Sequence, residues 1–182
     1  MKIIFLDIDG VLNTDAYRHS LGLDYFSQLI QREKLPLLQC IIASTDAQIV
    51  LSSSWRKYYL TDGPQLDPAG QCIYEAFASA DLRIYDKTPV LSGHRSRGEA
   101  IAAWLDGASG VGEFVILDDN TIGENRKLLG HFVQTDPQVG LCEAAVEAAI
   151  AVLNGQLRPL PPPPTLWKKL VKALRRKLCR RR

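Results

Sequence analysis

The chain has 182 residues, of which 46% are hydrophobic and 23% are charged; this excludes the disordered, collagen-like and disulfide-scaffold classes of protein. Its apolar runs are far shorter than the roughly 20 residues that cross a bilayer, and we expect no secretion signal, because acidic Asp7 interrupts the first run. The scattered cysteines predict a reduced, cytoplasmic protein without a disulfide framework or a zinc site.

Predicted strands and helices alternate along residues 1–157. Short apolar runs predict strands over residues 2–6, 48–51, 113–117 and 131–134. Apolar residues at helical spacing predict helices over residues 25–32, 36–44, 98–105 and 141–154. Residues 82–85 fit either a strand or the edge of a loop. Because apolar strands that alternate with helices are typical of parallel sheets, we expect an α/β fold with a Rossmann-like parallel sheet flanked by helices.

The segment that follows residue 157 has a different composition. Five prolines fall within residues 158–164, which predicts an extended polyproline II spacer. Residues 165–182 hold nine of the 22 Lys and Arg and none of the 20 Asp and Glu. The sequence is therefore divided into a domain (residues 1–157), a proline-rich spacer (residues 158–164) and a basic tail (residues 165–182). Residues 1–164 together carry a net charge of −7, whereas the tail carries +9.

The basic tail has the spacing of an amphipathic helix. Its apolar residues recur at steps of three and four: Leu166, Trp167, Leu170, Val171, Leu174 and Leu178. Basic amphipathic helices lie on anionic membranes or bind partner grooves, and nine cations would also attract nucleic acid. We expect the tail to bind nucleic acid or an anionic membrane, the latter placing the protein peripherally at the inner membrane surface. Docking on the domain's own acidic surface is the alternative.

Reactive side chains follow three predicted strands at the point where each strand ends. They lie in the segments Asp7-Ile8-Asp9-Gly10, Ser52-Ser53-Ser54 and Asp118-Asp119. In open parallel sheets, ligands bind beyond the carboxyl ends of the strands. We therefore expect these three segments to meet in a single site.

These carboxylates suit the transfer of a phosphoryl group. A carboxylate attacks a phosphoryl group only if a cation neutralises both, and Mg²⁺ prefers hard oxygen ligands of this kind. Asp7, Asp118 and Asp119 can supply such ligands, and one oxygen of Asp7 remains free to form an aspartyl-phosphate. Asp9 points to the same side of an extended chain as Asp7. It can therefore protonate the leaving oxygen and later deprotonate the attacking water.

The oxygens of the phosphate need hydrogen-bond donors and a cation. Ser52 can supply a hydroxyl, and Ser53 is either a second phosphate ligand or a helix cap. Arg97, just before a predicted helix, is the best-placed cation, with Arg95 as the alternative. Gly10 allows a sharp turn where a side chain would obstruct the phosphate.

These motifs resemble those of the haloacid-dehalogenase (HAD) superfamily of aspartate-nucleophile phosphatases. Residues 7–12 resemble its first motif, Ser52 its second, residues 97–101 its third and Asp118-Asp119 its fourth. More narrowly, four segments look like the HAD domain of "Swiss army knife" RNA-repair proteins. They are residues 49–56, 87–89, 97–105 and 115–119.

The resemblance implies a HAD-type fold, Mg²⁺ as cofactor and defined roles for the motif residues. Asp7 would be the nucleophile and a metal ligand, and Asp9 the general acid/base, with its backbone carbonyl also on the metal. Asp119 would be the favoured metal ligand of the pair, with Asp118 beside it. Arg97 stands where lysine is commoner in the superfamily, which keeps the positive charge and adds a bidentate fork.

We therefore expect a Mg²⁺-dependent phosphohydrolase that works through an aspartyl-phosphate. Residues 13–44 are too few for a large inserted cap, and residues 56–95 leave room only for a loop-rich insertion. Such a minimal cap leaves an open site, which admits large substrates; the RNA-repair resemblance points to nucleic-acid ends. The alternatives are a phosphotransferase that uses the same aspartate, and a catalytically weak targeting module whose tail attaches it to anionic membrane or nucleic acid.

Overall fold

The computed structural model describes residues 1–23, 29–92, 96–123 and 125–159. The predicted basic tail lies outside these residues, as does the predicted spacer beyond Pro159. The alternative phosphate-binding cation Arg95 and much of the helix predicted over residues 25–32 also lie outside them.

A single sheet of five parallel strands organises the molecule. The strands are β1 (Lys2–Leu6), β2 (Ala47–Leu51), β3 (Ile84–Lys87), β4 (Glu113–Asp118) and β5 (Phe132–Gln134). They lie in the order β3-β2-β1-β4-β5, and each neighbouring pair is parallel. β1 is central because its apolar side chains are buried on both faces of the sheet. The predicted Rossmann-like parallel α/β fold is confirmed.

Helices cover both faces of this sheet. They are α1 (Asp15–Ser20), α2 (Leu35–Thr45), α3 (Pro68–Ser79), α4 (Arg97–Gly107), α5 (Arg126–Leu129) and α6 (Glu143–Leu153), with short 3-10 turns at Arg32–Lys34 and Ser54–Lys57. Successive residues of a strand face opposite sides. Ile4 and Leu6 therefore join the larger core with α2, α3 and α6, whereas Ile3 and Phe5 join a second core with α4 and α5. None of the described helices is both long and apolar enough to cross a membrane.

Most of the predicted elements are confirmed to within about two residues. The ambiguous segment at residues 82–85 is a strand, but it is shifted two residues to Ile84–Lys87. The helix predicted over residues 25–32 is wrong for the part that the structure describes: residues 29–31 are not helical. There the amide of Gln31 donates to the carbonyl of Leu12 (2.8 Å) and the backbone of Gln31 is extended.

The expectation of a loop-rich insertion in residues 56–95 is wrong, because α3 occupies its middle. The side chain of Asp67 caps this helix by accepting from the amide of Ala69 (2.9 Å), and Pro68 suits its first turn. Gly70, which lies within α3, serves close packing. A Cβ at this position would lie 2.5 Å from the carbonyl oxygen of Tyr58.

Candidate active site

The carboxyl end of every strand carries a buried polar residue. Backbone hydrogen bonds of 2.9–3.0 Å extend the strand pairing by one step and align these residues side by side. In the order of the strands they are Thr88, Ser52, Asp7, Asp118 and Thr135. We call this set the carboxyl-edge row. Its charged and hydroxyl groups lie where an open α/β sheet binds ligands.

Three carboxylates converge at the centre of this edge. Asp7, Asp118 and Asp119 each offer an oxygen, and these three atoms lie within 4.8 Å of one another. Asp7 and Asp118 are buried, whereas Asp119 is half-buried and opens the group to solvent. The predicted meeting of the first and fourth motifs is therefore present, and the oxygen-only set is of the type that binds a hard divalent cation.

Arg97 joins two of these carboxylates from the other side. Its Nη1 donates to Oδ2 of Asp7 and to Oδ2 of Asp118 (2.5 Å in the latter case). Arg97 is the first residue of α4, whose start is fixed by a capping box between Ser96 and Glu99. Gly98 allows this helix to approach the sheet, since a Cβ there would stand 2.0 Å from the carbonyl oxygen of Ile122.

The electrostatics of the group favour an added cation. Burial and the charge of Asp7 raise the pKa of Asp118 to about 7, although Arg97 opposes the shift. Burial and Asp7 also raise the pKa of Asp119. Burial disfavours the charge of Arg97, but the carboxylates of Asp7 and Asp118 outweigh it and raise the pKa of the guanidinium. One guanidinium does not offset three crowded carboxylates, so a divalent cation would relieve their repulsion.

Gly10 shapes the loop that leads away from Asp7. Its φ of +69° lies in the region that favours glycine, as the predicted sharp turn requires. A Cβ at this position would stand 2.4 Å from Cγ of Asp119. A side chain at position 10 would therefore displace a carboxylate of the cluster. Thr135 secures the same loop, since its hydroxyl donates to the carbonyl of Gly10 (2.7 Å).

Asp9 lies beside the cluster with its carboxylate held at both oxygens. Oδ1 accepts from Nη1 of Arg18 (3.2 Å) and from Nδ2 of Asn13 (3.1 Å), and Oδ2 accepts from Nε1 of Trp55 (2.9 Å). Burial and the charge of Asp7 raise the pKa of Asp9, while Trp55 and Arg18 oppose the shift. The Asp9 side chain keeps 21% of its surface exposed, so it borders the open side of the site.

Two serines that follow β2 have different roles. Ser52 is buried, and within the described part of the chain its hydroxyl has no hydrogen-bond partner, so it is available to a ligand. The hydroxyl of Ser53 accepts from the amide of Trp55 (3.3 Å) and caps the 3-10 turn. Arg56 then donates to the carbonyls of Ser52 (3.3 Å) and Ser53 (2.8 Å).

Sequence reasoning missed the residues that hold Asp9. Arg18 is 2% exposed and also binds Asp15, and a buried arginine requires such partners. However, nothing in the sequence marks Arg18 as buried. Trp55 adjoins the serine run, and this proximity to the second motif was the one available signal.

The comparison with family models agrees with this geometry. Residues 3–146 match the model described as the HAD domain in Swiss Army Knife RNA repair proteins. The chain belongs to this family. No curated protein and no solved structure gives a significant match.

The region matched to this HAD family includes all five strands apart from Lys2 of β1, and each residue placed at the site above. The resemblance inferred from the motifs is thereby confirmed. At the level of the family, membership supports hydrolase activity of the phosphatase type.

Proposed function

We propose that the protein is a Mg²⁺-dependent phosphohydrolase that forms an aspartyl-phosphate on Asp7. The observation that supports this proposal most strongly is the meeting of Asp7, Asp118 and Asp119 within 4.8 Å, next to the guanidinium of Arg97. A buried carboxylate that faces a cation and candidate metal ligands is well suited to attack phosphorus, because its charge and that of the phosphate would both be neutralised.

The metal would be held by Asp7, Asp119 and the backbone carbonyl of Asp9, with Asp118 beside it. Asp118 is less free than Asp119, because Arg97 occupies its Oδ2 and the amide of Asn120 donates to its Oδ1 (2.9 Å). Asp119 accepts from the Asn120 side chain at Oδ1. When bound, Mg²⁺ supplies charge neutralisation and orients the phosphoryl group.

The remaining steps belong to the protein's own groups. An Asp7 oxygen forms a bond to phosphorus while the bond from phosphorus to the leaving oxygen breaks, and Asp9 gives its proton to that oxygen. Asp9 then takes a proton from water, which attacks the phosphorus of the aspartyl-phosphate and releases phosphate and free Asp7. Ser52 and Arg97, with Ser53 as a further candidate, would hold the phosphate oxygens.

We propose that the substrate is a large phosphorylated molecule, with nucleic-acid ends as the first choice. The family is named for RNA repair proteins, and the half-buried Asp119 and the partly exposed Asp9 face an open side of the site. A phosphate at the end of a polymer could approach from that side.

Replacement of the nucleophile tests the reaction. We expect Asp7→Asn to lower hydrolysis of p-nitrophenyl phosphate and of 3′- or 5′-phosphorylated oligonucleotides by about 1,000-fold or more. Asp46→Asn is the matched control, since Asp46 is exposed and its left-handed backbone tolerates asparagine. Circular dichroism would check that both variants are folded. Full activity of folded Asp7→Asn, or no hydrolysis by the wild type with Mg²⁺, would contradict the proposal.

We further propose that the basic tail attaches the enzyme to a polyanion, with nucleic acid as the first choice. The support is its charge of +9, which contrasts with the net charge of −7 on residues 1–164. Removal of residues 160–182 should leave hydrolysis of p-nitrophenyl phosphate unchanged and abolish salt-dependent binding to oligonucleotides. Loss of vesicle binding alone would instead support the membrane alternative, and unchanged binding to both would contradict any attachment role.

A further inference from the structure

We propose that Trp55 is a positioning residue, whose indole N–H holds the carboxylate of Asp9 in the orientation needed for proton transfer to the leaving group. This inference rests on the function proposed above. It adds to that function a residue that does not touch the phosphate and acts through Asp9.

The path of the chain after β2 brings Trp55 to this position. Ser53 caps the 3-10 turn Ser54–Lys57, so the chain bends directly after the serine run. The indole is 9% exposed and packs within the larger core. Its Nε1 lies 2.9 Å from Oδ2 of Asp9. A ring fixed by packing gives this hydrogen bond a defined direction.

The other oxygen of Asp9 is held independently. Asn13 Nδ2 and Arg18 Nη1 both donate to Oδ1, and the backbone carbonyl of Asn13 in turn accepts from the amide of Gly10 (2.8 Å). Donors at both oxygens fix the plane of the carboxylate, whose last torsion is otherwise broad. Loss of the Trp55 contact should therefore let that plane rotate while Asp9 stays anchored at Oδ1.

The cost of such rotation depends on the leaving group. As Asp7 forms its bond to phosphorus, the proton on Asp9 passes to the oxygen whose bond to phosphorus breaks. A poor leaving group, whose anion is strongly basic, needs this proton in the transition state, whereas p-nitrophenolate leaves readily without it. A misplaced acid should therefore slow esters of poor leaving groups most. A merely structural defect should slow all esters alike.

Two esters of similar size separate these cases. We expect Trp55→Phe, which keeps an aromatic ring and removes the N–H, to lower kcat/KM for phenyl phosphate by about tenfold, the value of a hydrogen bond to a charged group. The loss for p-nitrophenyl phosphate should be about threefold or less. The matched control is Trp104→Phe, which removes an indole N–H that donates to Oδ2 of Asp86 (2.6 Å). This control should change kcat/KM for neither ester.

The kinetic results separate a failure of the positioning role from a failure of the proposed phosphohydrolase function. If the wild type hydrolyses neither ester with Mg²⁺, the proposed function fails and the inference fails with it. If the wild type is active and Trp55→Phe slows both esters equally, or slows neither, the positioning role is overturned and the phosphohydrolase remains.

Two further measurements test the inference, and the second of them does not require Trp55→Phe to fold. In a double-mutant cycle, Trp55→Phe should cause no additional loss for phenyl phosphate in an Asp9→Asn background, and an additive loss would overturn the role. In protein labelled with ¹⁵N-tryptophan, Asp9→Asn should move the indole resonance of Trp55 and leave that of Trp104 in place. An unmoved Trp55 resonance would overturn the contact itself.

Discussion

The central strand β1 and the carboxyl-edge row are both buried, yet they are chemically opposite. Phe5 and Leu6 of β1 are 0% exposed, and so are Asp118 and Ser52 at the edge. Apolar burial stabilises the fold, whereas a buried charge is costly unless it is paired. The strands therefore stabilise the fold and hold the row in place, whereas the polar residues of the row lower the stability of the fold and supply its chemistry. Substitutions in the two regions should have separable effects.

The largest effect on stability should come from the strands. Phe5 packs edge-to-face against Trp104 and Phe114, with ring centroids 5.4 and 5.8 Å away. We expect Phe5→Ala to lower the free energy of unfolding by about 3–5 kcal/mol, as measured by urea denaturation. Activity per folded molecule should be kept at low temperature. A loss below about 1 kcal/mol would contradict the assignment of stability to the strands.

A smaller effect should follow from Mg²⁺ at the row. Because Asp7, Asp118 and Asp119 repel one another, saturating Mg²⁺ should stabilise the wild type, by about 2.7 kcal/mol at 100 times its Kd. Thermal melts with Mg²⁺ and with a chelator measure this difference. It should largely disappear in Asp119→Asn and persist in Asp46→Asn. An equal stabilisation of Asp119→Asn would place the ion elsewhere.

The smallest effect on stability should come from single hydroxyls of the row. Ser52→Ala removes a buried hydroxyl that has no partner among the described residues. The free energy of unfolding should therefore change by about 0.5 kcal/mol or less. The value of kcat/KM should fall about tenfold, because the phosphate loses a hydrogen-bond donor. Thr135→Val should cost about 1–2 kcal/mol, because the carbonyl of Gly10 loses its donor. A larger loss of unfolding free energy in Ser52→Ala than in Thr135→Val would contradict this prediction.

The central strands and the chemistry of the edge could be predicted from sequence. β1, β2 and β4 are short apolar runs that are almost wholly buried, so hydrophobic patterning locates them. The aspartates and serines at their ends then converge because parallel strands end on one edge. β3 was less predictable because it lies at the edge of the sheet and is only partly buried.

The support of Asp9 could not be predicted, because it depends on contacts between distant parts of the chain. Trp55 lies 46 residues from Asp9 in the sequence, and it reaches Asp9 through the 3-10 turn that Ser53 caps. Helix α3 was missed for a related reason. The residues Pro68 and Gly70 favour a loop in isolation, but Pro68 fits a first turn, and the absence of a side chain at Gly70 lets α3 pack beside Tyr58.

Helix α6 returns the chain to the amino end of the sheet, which is the end opposite to Asp7. There Asn154 accepts from the Lys2 ammonium (2.9 Å), and the amide of Arg158 donates to the carbonyl of Gly130 (2.9 Å). A strand of five residues is about 17 Å long, so these two contacts lie about one strand length from Asp7, which follows the carboxyl end of β1. A phosphorylated molecule can therefore reach Asp7 without displacing the contacts of Asn154 and Arg158.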